Sequence, residues 1–136
     1  MCAAVAGLAC ALVAGCAGGQ EQPKTGAEGA AAGGDQVAQG QALYAEKCAS
    51  CHGAQGQGAS GPPVVGKGAL PLAPPAGAKY RSEPFHTAGD VYDFVKKNMP
   101  ANAPGTLTDA ETSAIIAFDL KANGVDLAGK HIDHTS

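Results

Sequence analysis

Cys48-Ala49-Ser50-Cys51-His52 is the part of the 136-residue sequence where side chains able to do chemistry are most closely spaced. Two thiols three positions apart, followed directly by an imidazole, make the C-x-x-C-H pattern of c-type haem attachment. The spacing has a mechanical basis. On one helical turn each thiol can form a thioether to a haem vinyl group, and the adjoining imidazole then sits beneath the iron. Two other chemistries use paired cysteines. A structural zinc site needs four ligands, and no second Cys pair is present. A thioredoxin-like dithiol wants a βαβ setting with a strand before it, and that pattern is missing. The implied cofactor is one covalently bound haem c, with Cys48 and Cys51 as attachment points and His52 as an axial iron ligand.

Helices must position these groups. Val37, Gly40 and Tyr44 fall at helical spacing and predict a first helix over about Gln36 to Lys47. A second begins after Thr87, whose hydroxyl can cap it while Asp90 sits in the first turn; Val91, Phe94 and Val95 form its apolar stripe. It should end near Asn98, because Pro100 disfavours helix at the residue before it. Thr108 with Glu111 is a capping box opening a third helix, Asn123-Gly124 is its stop, and Ala114, Ile115, Ala117 and Phe118 make its apolar face. From Gly53 to Pro84 the chain is rich in Gly and Pro and carries no strand pattern. So long an irregular stretch is unusual in a compact domain unless it packs on something, and a haem supplies that surface. The expected class is all-α: three main helices and a long loop wrapped around one cofactor. With three Tyr, three Phe and no Trp, the chain needs a large apolar group to fill its core.

Charge excludes one class of partner. The formal net charge is −3, whereas nucleic-acid binding requires a basic surface. The remaining cysteines, Cys2, Cys10 and Cys16, lie in the apolar N-terminus, where Ala3 to Gly19 carries no charge. That run is short for a membrane span of about 20 apolar residues and suits an export signal. Its end, Leu12-Val13-Ala14-Gly15-Cys16, resembles the lipobox of bacterial lipoprotein signals. The resemblance implies a signal over residues 1–15 and lipid attached to Cys16; an ordinary secretory signal cut nearby is the alternative. Met1 and Cys2 supply none of the positive charge such signals carry first. With lipid on Cys16 and haem on Cys48 and Cys51, no thiol of the mature chain is left for a disulfide. Residues 16–35 read as a flexible linker by composition, residues 36–128 as the haem domain and residues 129–136 as a polar tail. Such a linker has a reach of about 25 Å, which would keep a lipid-tethered domain near the membrane.

Gly40-Gln41-Ala42-Leu43-Tyr44, Cys48 to Gly53, Gly61-Pro62-Pro63, Asn98-Met99-Pro100 and the capped last helix together resemble class I bacterial cytochromes c, over roughly Val37 to Val125. The resemblance implies the small cytochrome c fold, with the first and last helices crossing at Gly40 near Phe118 and Tyr44 alongside. It implies that Met99, the one methionine after Met1, donates its thioether to iron opposite His52. It also implies that a backbone carbonyl of Gly61-Pro62-Pro63, taken as Pro62, accepts the proton on the second nitrogen of His52. The plainer roles are a core-filling Met99, a loop-stiffening Pro62 and an indifferent helix glycine at Gly40.

Other candidates weigh less. His131 and His134 lie beyond the last helix and suit a loose surface role; His86 precedes the second helix and is a minor alternative ligand. Lys96 and Lys97 could steer an acidic partner toward the haem edge or simply form a solvated helix face. Histidine–methionine ligation fills both axial sites and favours electron transfer over oxygen chemistry. The expected function is therefore single-electron transfer between redox proteins outside the cytoplasmic membrane, by a periplasmic or extracytoplasmic protein held to a bacterial membrane through an N-terminal lipid. It is not an enzyme on its own. The alternative is a dedicated cytochrome subunit of a membrane-associated dehydrogenase or sulfur-oxidising complex. A catalytic or gas-sensing haem protein is a third class and would need an open iron site.

Overall fold

The computed structural model describes residues 32–136. The expectations for Cys16, the export signal and most of the linker lie outside the described residues. Those described form four helices and no strand: α1 Ala32–Lys47, the single turn α2 Ala49–His52, α3 Ala88–Asn98 and α4 Asp109–Ala122. The all-α class and the long irregular segment between α2 and α3 are as the sequence implies. None of these helices is long and apolar enough to cross a membrane.

Local chemistry sets the helix boundaries. Thr87 and Asp90 form a reciprocal capping box at the start of α3, and Thr108 and Glu111 form another at the start of α4. Backbone N–H groups of His86 and Thr87 hold the Asp90 carboxyl, and that of Thr108 the Glu111 carboxyl, below the usual carboxylate range. α1 starts at Ala32, earlier than its apolar period indicates, and takes in the end of the stretch read as linker. Asp35 lies in its first turn, where the helix dipole favours a carboxylate. Gln36 is buried and exchanges two hydrogen bonds with the Ile132 backbone, at 2.8 and 2.9 Å.

The C-terminal segment departs from expectation in the same way. Residues 129–136 read as a loose polar tail, yet Ile132 and nearby Leu127 are buried in the core with Phe85, Val91, Ile116 and Ala117. Ser136 O accepts the Gly89 N–H at 2.7 Å, and the His134 ring lies 6.2 Å from that of Tyr92. Composition hides this docking because a single isoleucine and a few backbone bonds carry it.

α4 is the hub, with α1 and α3 both packed on it. It is buried nearly all round, from Thr112 to Ala117 and again at Asp119. α1 crosses it at Gly40: a Cβ there would run into the Ala114 carbonyl and come within 2.9 Å of Phe118 Cβ. Tyr44, one turn on, is 2% exposed, with its ring centroid 5.1 Å from that of Phe118. Replacing Gly40 by Val must push the two backbones apart. The expected cost is at least about 1–3 kcal/mol, the usual range for overpacking, read as a lower urea midpoint for the folded holoprotein. An unchanged midpoint would show that the crossing tolerates a side chain.

Candidate haem site

α1 hands the chain to the site almost without a break. Cys48 N–H donates to Tyr44 O at 2.9 Å, and His52 N–H to Cys48 O at 2.9 Å. This places Cys48, Cys51 and His52 on one turn, which ends at Gly53, a residue at φ +82° that L side chains rarely adopt. The Tyr44 hydroxyl donates to Gly53 O at 3.0 Å, so the α1–α4 contact also fixes the exit of the turn. Beyond it the loop folds back: Gly58 N–H meets His52 O at 2.7 Å, and Gly61 N–H meets Cys51 O at 2.8 Å.

That return puts the Pro62 carbonyl 2.7 Å from His52 Nδ1. A carbonyl can only accept, so Nδ1 carries the proton and Nε2 keeps its lone pair free to bind a metal. Gly61 lies against the same imidazole; a Cβ there would stand 3.1 Å from His52 Cε1. Cys48, Cys51, His52 and Pro62 are thus gathered by one turn and one loop. Met99 stands apart, half-buried at the C-cap of α3 with its N–H on Val95 O at 2.9 Å. It is tied to the others through α3 on α4 and α4 on α1.

The electrostatics speak against a redox dithiol. Burial pushes the Cys48 thiol up to about 11; the Asp119 charge adds to the rise, Lys47 opposes it and Cys51 adds a little. A reactive dithiol needs a depressed thiol. Nor do the described residues hold a cluster of three or more His, Cys, Asp or Glu side chains able to bind a metal ion. Thioether bonding makes no demand for a thiolate held by its surroundings, and a free imidazole Nε2 beside it suits haem iron.

Three residues that sequence reasoning missed bear on the site. Arg81 donates from Nη2 to Pro71 O and Ala73 O at 2.8 and 2.6 Å, and its guanidinium lies 3.9 Å over the Phe85 ring. Its Nη1 is buried without a partner. A buried, unfilled cationic donor matches a haem propionate, so the residues present fit the cofactor. Asn123, read only as a helix stop, donates from Nδ2 to Val64 O at 2.8 Å and accepts from Gly66 N–H at 3.0 Å, pinning the loop to the end of α4. Asp119 is a buried carboxyl on an otherwise apolar helix. A buried Asp, or an Arg in a Gly/Pro loop, is visible in the sequence, but its surroundings are not.

Other candidates shift as well. Lys96 is not free to steer a partner: its ammonium is held by Asp109 Oδ1 at 2.8 Å and by the Leu107 carbonyl. Lys97 is exposed. His86 and His131 are exposed too, and His86 enters hydrogen bonding through its backbone N–H to Asp90.

Comparison with known proteins agrees with this chemistry. The family model described as cytochrome c oxidase, cbb3-type, subunit III matches residues 35–118. The thiosulfate dehydrogenase of Stutzerimonas stutzeri (strain A1501) is 36% identical over 92 residues, which are 63% of this chain and 27% of that protein. Among solved structures, the sulfane dehydrogenase SoxCD from Paracoccus pantotrophus matches with a TM-score of 0.51 and 40% identity, over 66% of this chain and 45% of that one. The chain therefore spans less than half the length of either relative.

The two hydrogen bonds between Asn123 and the loop give a direct check. Asn123→Ala should cost about 1 kcal/mol or more, since it leaves the part-buried Val64 carbonyl without its donor. It should also speed amide exchange at Gly66 while the α4 amides stay protected. Unaltered exchange at Gly66 would mean that the loop is held elsewhere.

Proposed function

The chain belongs to the cytochrome c family described as cytochrome c oxidase, cbb3-type, subunit III, and from that premise we propose that it carries single electrons between redox proteins outside the cytoplasmic membrane. It is an all-α c-type cytochrome with covalently bound haem c. The observation that carries the proposal is the His52 imidazole, fixed by Pro62 O at 2.7 Å on the turn that presents Cys48 and Cys51.

When bound, the haem supplies one-electron chemistry, its iron cycling between ferrous and ferric states. Cys48 and Cys51 would hold it through thioethers, and His52 would give Nε2 to the metal. Pro62 keeps that imidazole in one tautomer and one orientation and raises its basicity. Met99, in the manner of class I cytochromes, would hold the iron through its thioether, which would raise the potential and keep small ligands out. Arg81 offers its unfilled Nη1 to a propionate. The loop between α2 and α3, pinned by Asn123, would shield the macrocycle from water. Catalysis is left to a partner.

A second form of the same function is favoured by the sulfur chemistry in both relatives' names: a dedicated cytochrome subunit or domain delivering electrons from a sulfur-compound dehydrogenase. A stoichiometric enzyme subunit that stays with the purified cytochrome at moderate salt would select this form; isolation as a lone protein would select the free carrier. For the N-terminus, the uncharged run ending Leu12-Val13-Ala14-Gly15-Cys16 supports export and lipid attachment at Cys16, with residues 16–35 as tether. Intact mass of the mature protein should show a chain starting at Cys16 with a diacylglycerol adduct; a mature chain that retains residues 1–15 or lacks lipid would refute the anchor.

Ligation is tested by carbon monoxide. The reduced wild type should bind little, and Met99→Ala should bind readily and change both ferric and ferrous spectra. Spectra that ignore the substitution would remove Met99 from the iron.

A further inference from the structure

Asp119 has no task in this scheme, and its setting is unusual. It sits on α4 among buried Ile115, Ile116 and Ala117 and is itself 6% exposed. Its Oδ1 is buried and meets no hydrogen-bond donor. The nearby Asn123 amide is spent on the Asp119 backbone carbonyl and Val64 O. From α1, the group facing it is Tyr44, whose hydroxyl burial pushes up to about 12 and which donates to Gly53 O. At the α1–α2 junction it is Cys48, whose sulfur feels the Asp119 charge. Of the cations on the packed helices, Lys47 pairs with Glu46 and Glu111, Lys96 pairs with Asp109, toward which Tyr92 on α3 also turns, and Lys97 and Lys121 are exposed to water. No positive charge offsets the burial of this carboxyl, and loss of water alone pushes it up to about 7.

We propose that Asp119 is a redox-linked proton site: it takes up a proton when the haem held through Cys48 is reduced and releases it when that haem is oxidised. The inference rests on haem attachment at Cys48. On oxidation one electron passes to a one-electron acceptor, the partner redox protein; the Asp119 O–H bond breaks and its proton leaves to bulk water. On reduction by a one-electron donor, electron and proton both return. The driving force is Coulombic. Ferric iron carries one more positive charge than ferrous iron, and in a poorly solvated interior that charge favours the ionised carboxyl beside the attachment site. By linkage, an ionised Asp119 favours the ferric state equally. The potential should therefore fall as pH rises through the range where Asp119 titrates.

The test is an optical redox titration of the holoprotein at a series of pH values from about 5 to 9, bracketing the carboxyl. In the wild type the potential should be level at the acid end and fall through neutrality. Its steepest slope should not exceed a tenfold change in electron-transfer equilibrium per pH unit, the limit of about one proton per electron. Asp119→Asn should be level over the same span and lie above the wild type at the alkaline end, having lost a negative charge. A reduced-minus-oxidised infrared spectrum should show a protonated carboxyl band in the wild type that is missing in Asp119→Asn. A level wild-type profile, a slope that persists in Asp119→Asn, or a wild type without the carboxyl band would each overturn the proposal. A level wild-type profile overturns it even where that variant does not fold, and Asp119→Ser, a second variant without the carboxyl, should then be level where the wild type slopes. Failure of the haem assignment would look different, as a protein with no c-type spectrum to titrate.

Discussion

Gly40 rests directly on the Ala114 carbonyl, and the site depends on that close approach of two backbones. It brings Tyr44 beneath Phe118, and the Tyr44 hydroxyl then reaches Gly53 at the end of the turn bearing Cys48, Cys51 and His52. At the far end of α4, Asn123 catches the returning loop at Val64 and Gly66, just past the Pro62 carbonyl that orients His52. The imidazole is thus suspended between two anchors on one helix pair. Any shift of α1 against α4 reaches the free Nε2 of His52 through both.

The same geometry explains how so small a chain is stable. Its described core is built from a few aliphatic and aromatic side chains gathered on α4. The long segment between α2 and α3 contributes mainly backbone hydrogen bonds and turns, with Leu72 and Tyr80 exposed along it. A covalent porphyrin gives such a loop an apolar surface to cover, so the demands of folding and of electron transfer coincide. A histidine held in one tautomer by a backbone carbonyl is what a metal-binding imidazole needs to keep its place through a change of charge.

How much was legible in the sequence follows from the range of the forces involved. The C-x-x-C-H turn, the Thr87 cap, the Thr108–Glu111 capping box and the stop at Asn123 are written in residues a few positions apart, and α2, α3 and α4 start and end where those signals stand. The all-α class and the glycine at the helix crossing were legible through resemblance to class I cytochromes. Features made by distant partners were not. The Gln36–Ile132 clasp extends α1 and docks a tail whose composition reads as solvent-exposed. The Asp109 contact removes Lys96 from the surface charge that its position implies. Asn123 carries a second role that only folding reveals, and Arg81 and Asp119 gain meaning from burial, which no local pattern encodes.

The central claim is covalent attachment of one haem through Cys48 and Cys51, and acid–acetone extraction of the matured protein, followed by a pyridine haemochrome spectrum of both fractions, tests it most directly. The pigment should stay with the precipitated polypeptide and give a c-type spectrum at one haem per chain, and a Cys48→Ser, Cys51→Ser double variant should yield colourless protein. Haem released into the acetone, or a correctly exported wild type that carries none, would contradict the assignment of this site.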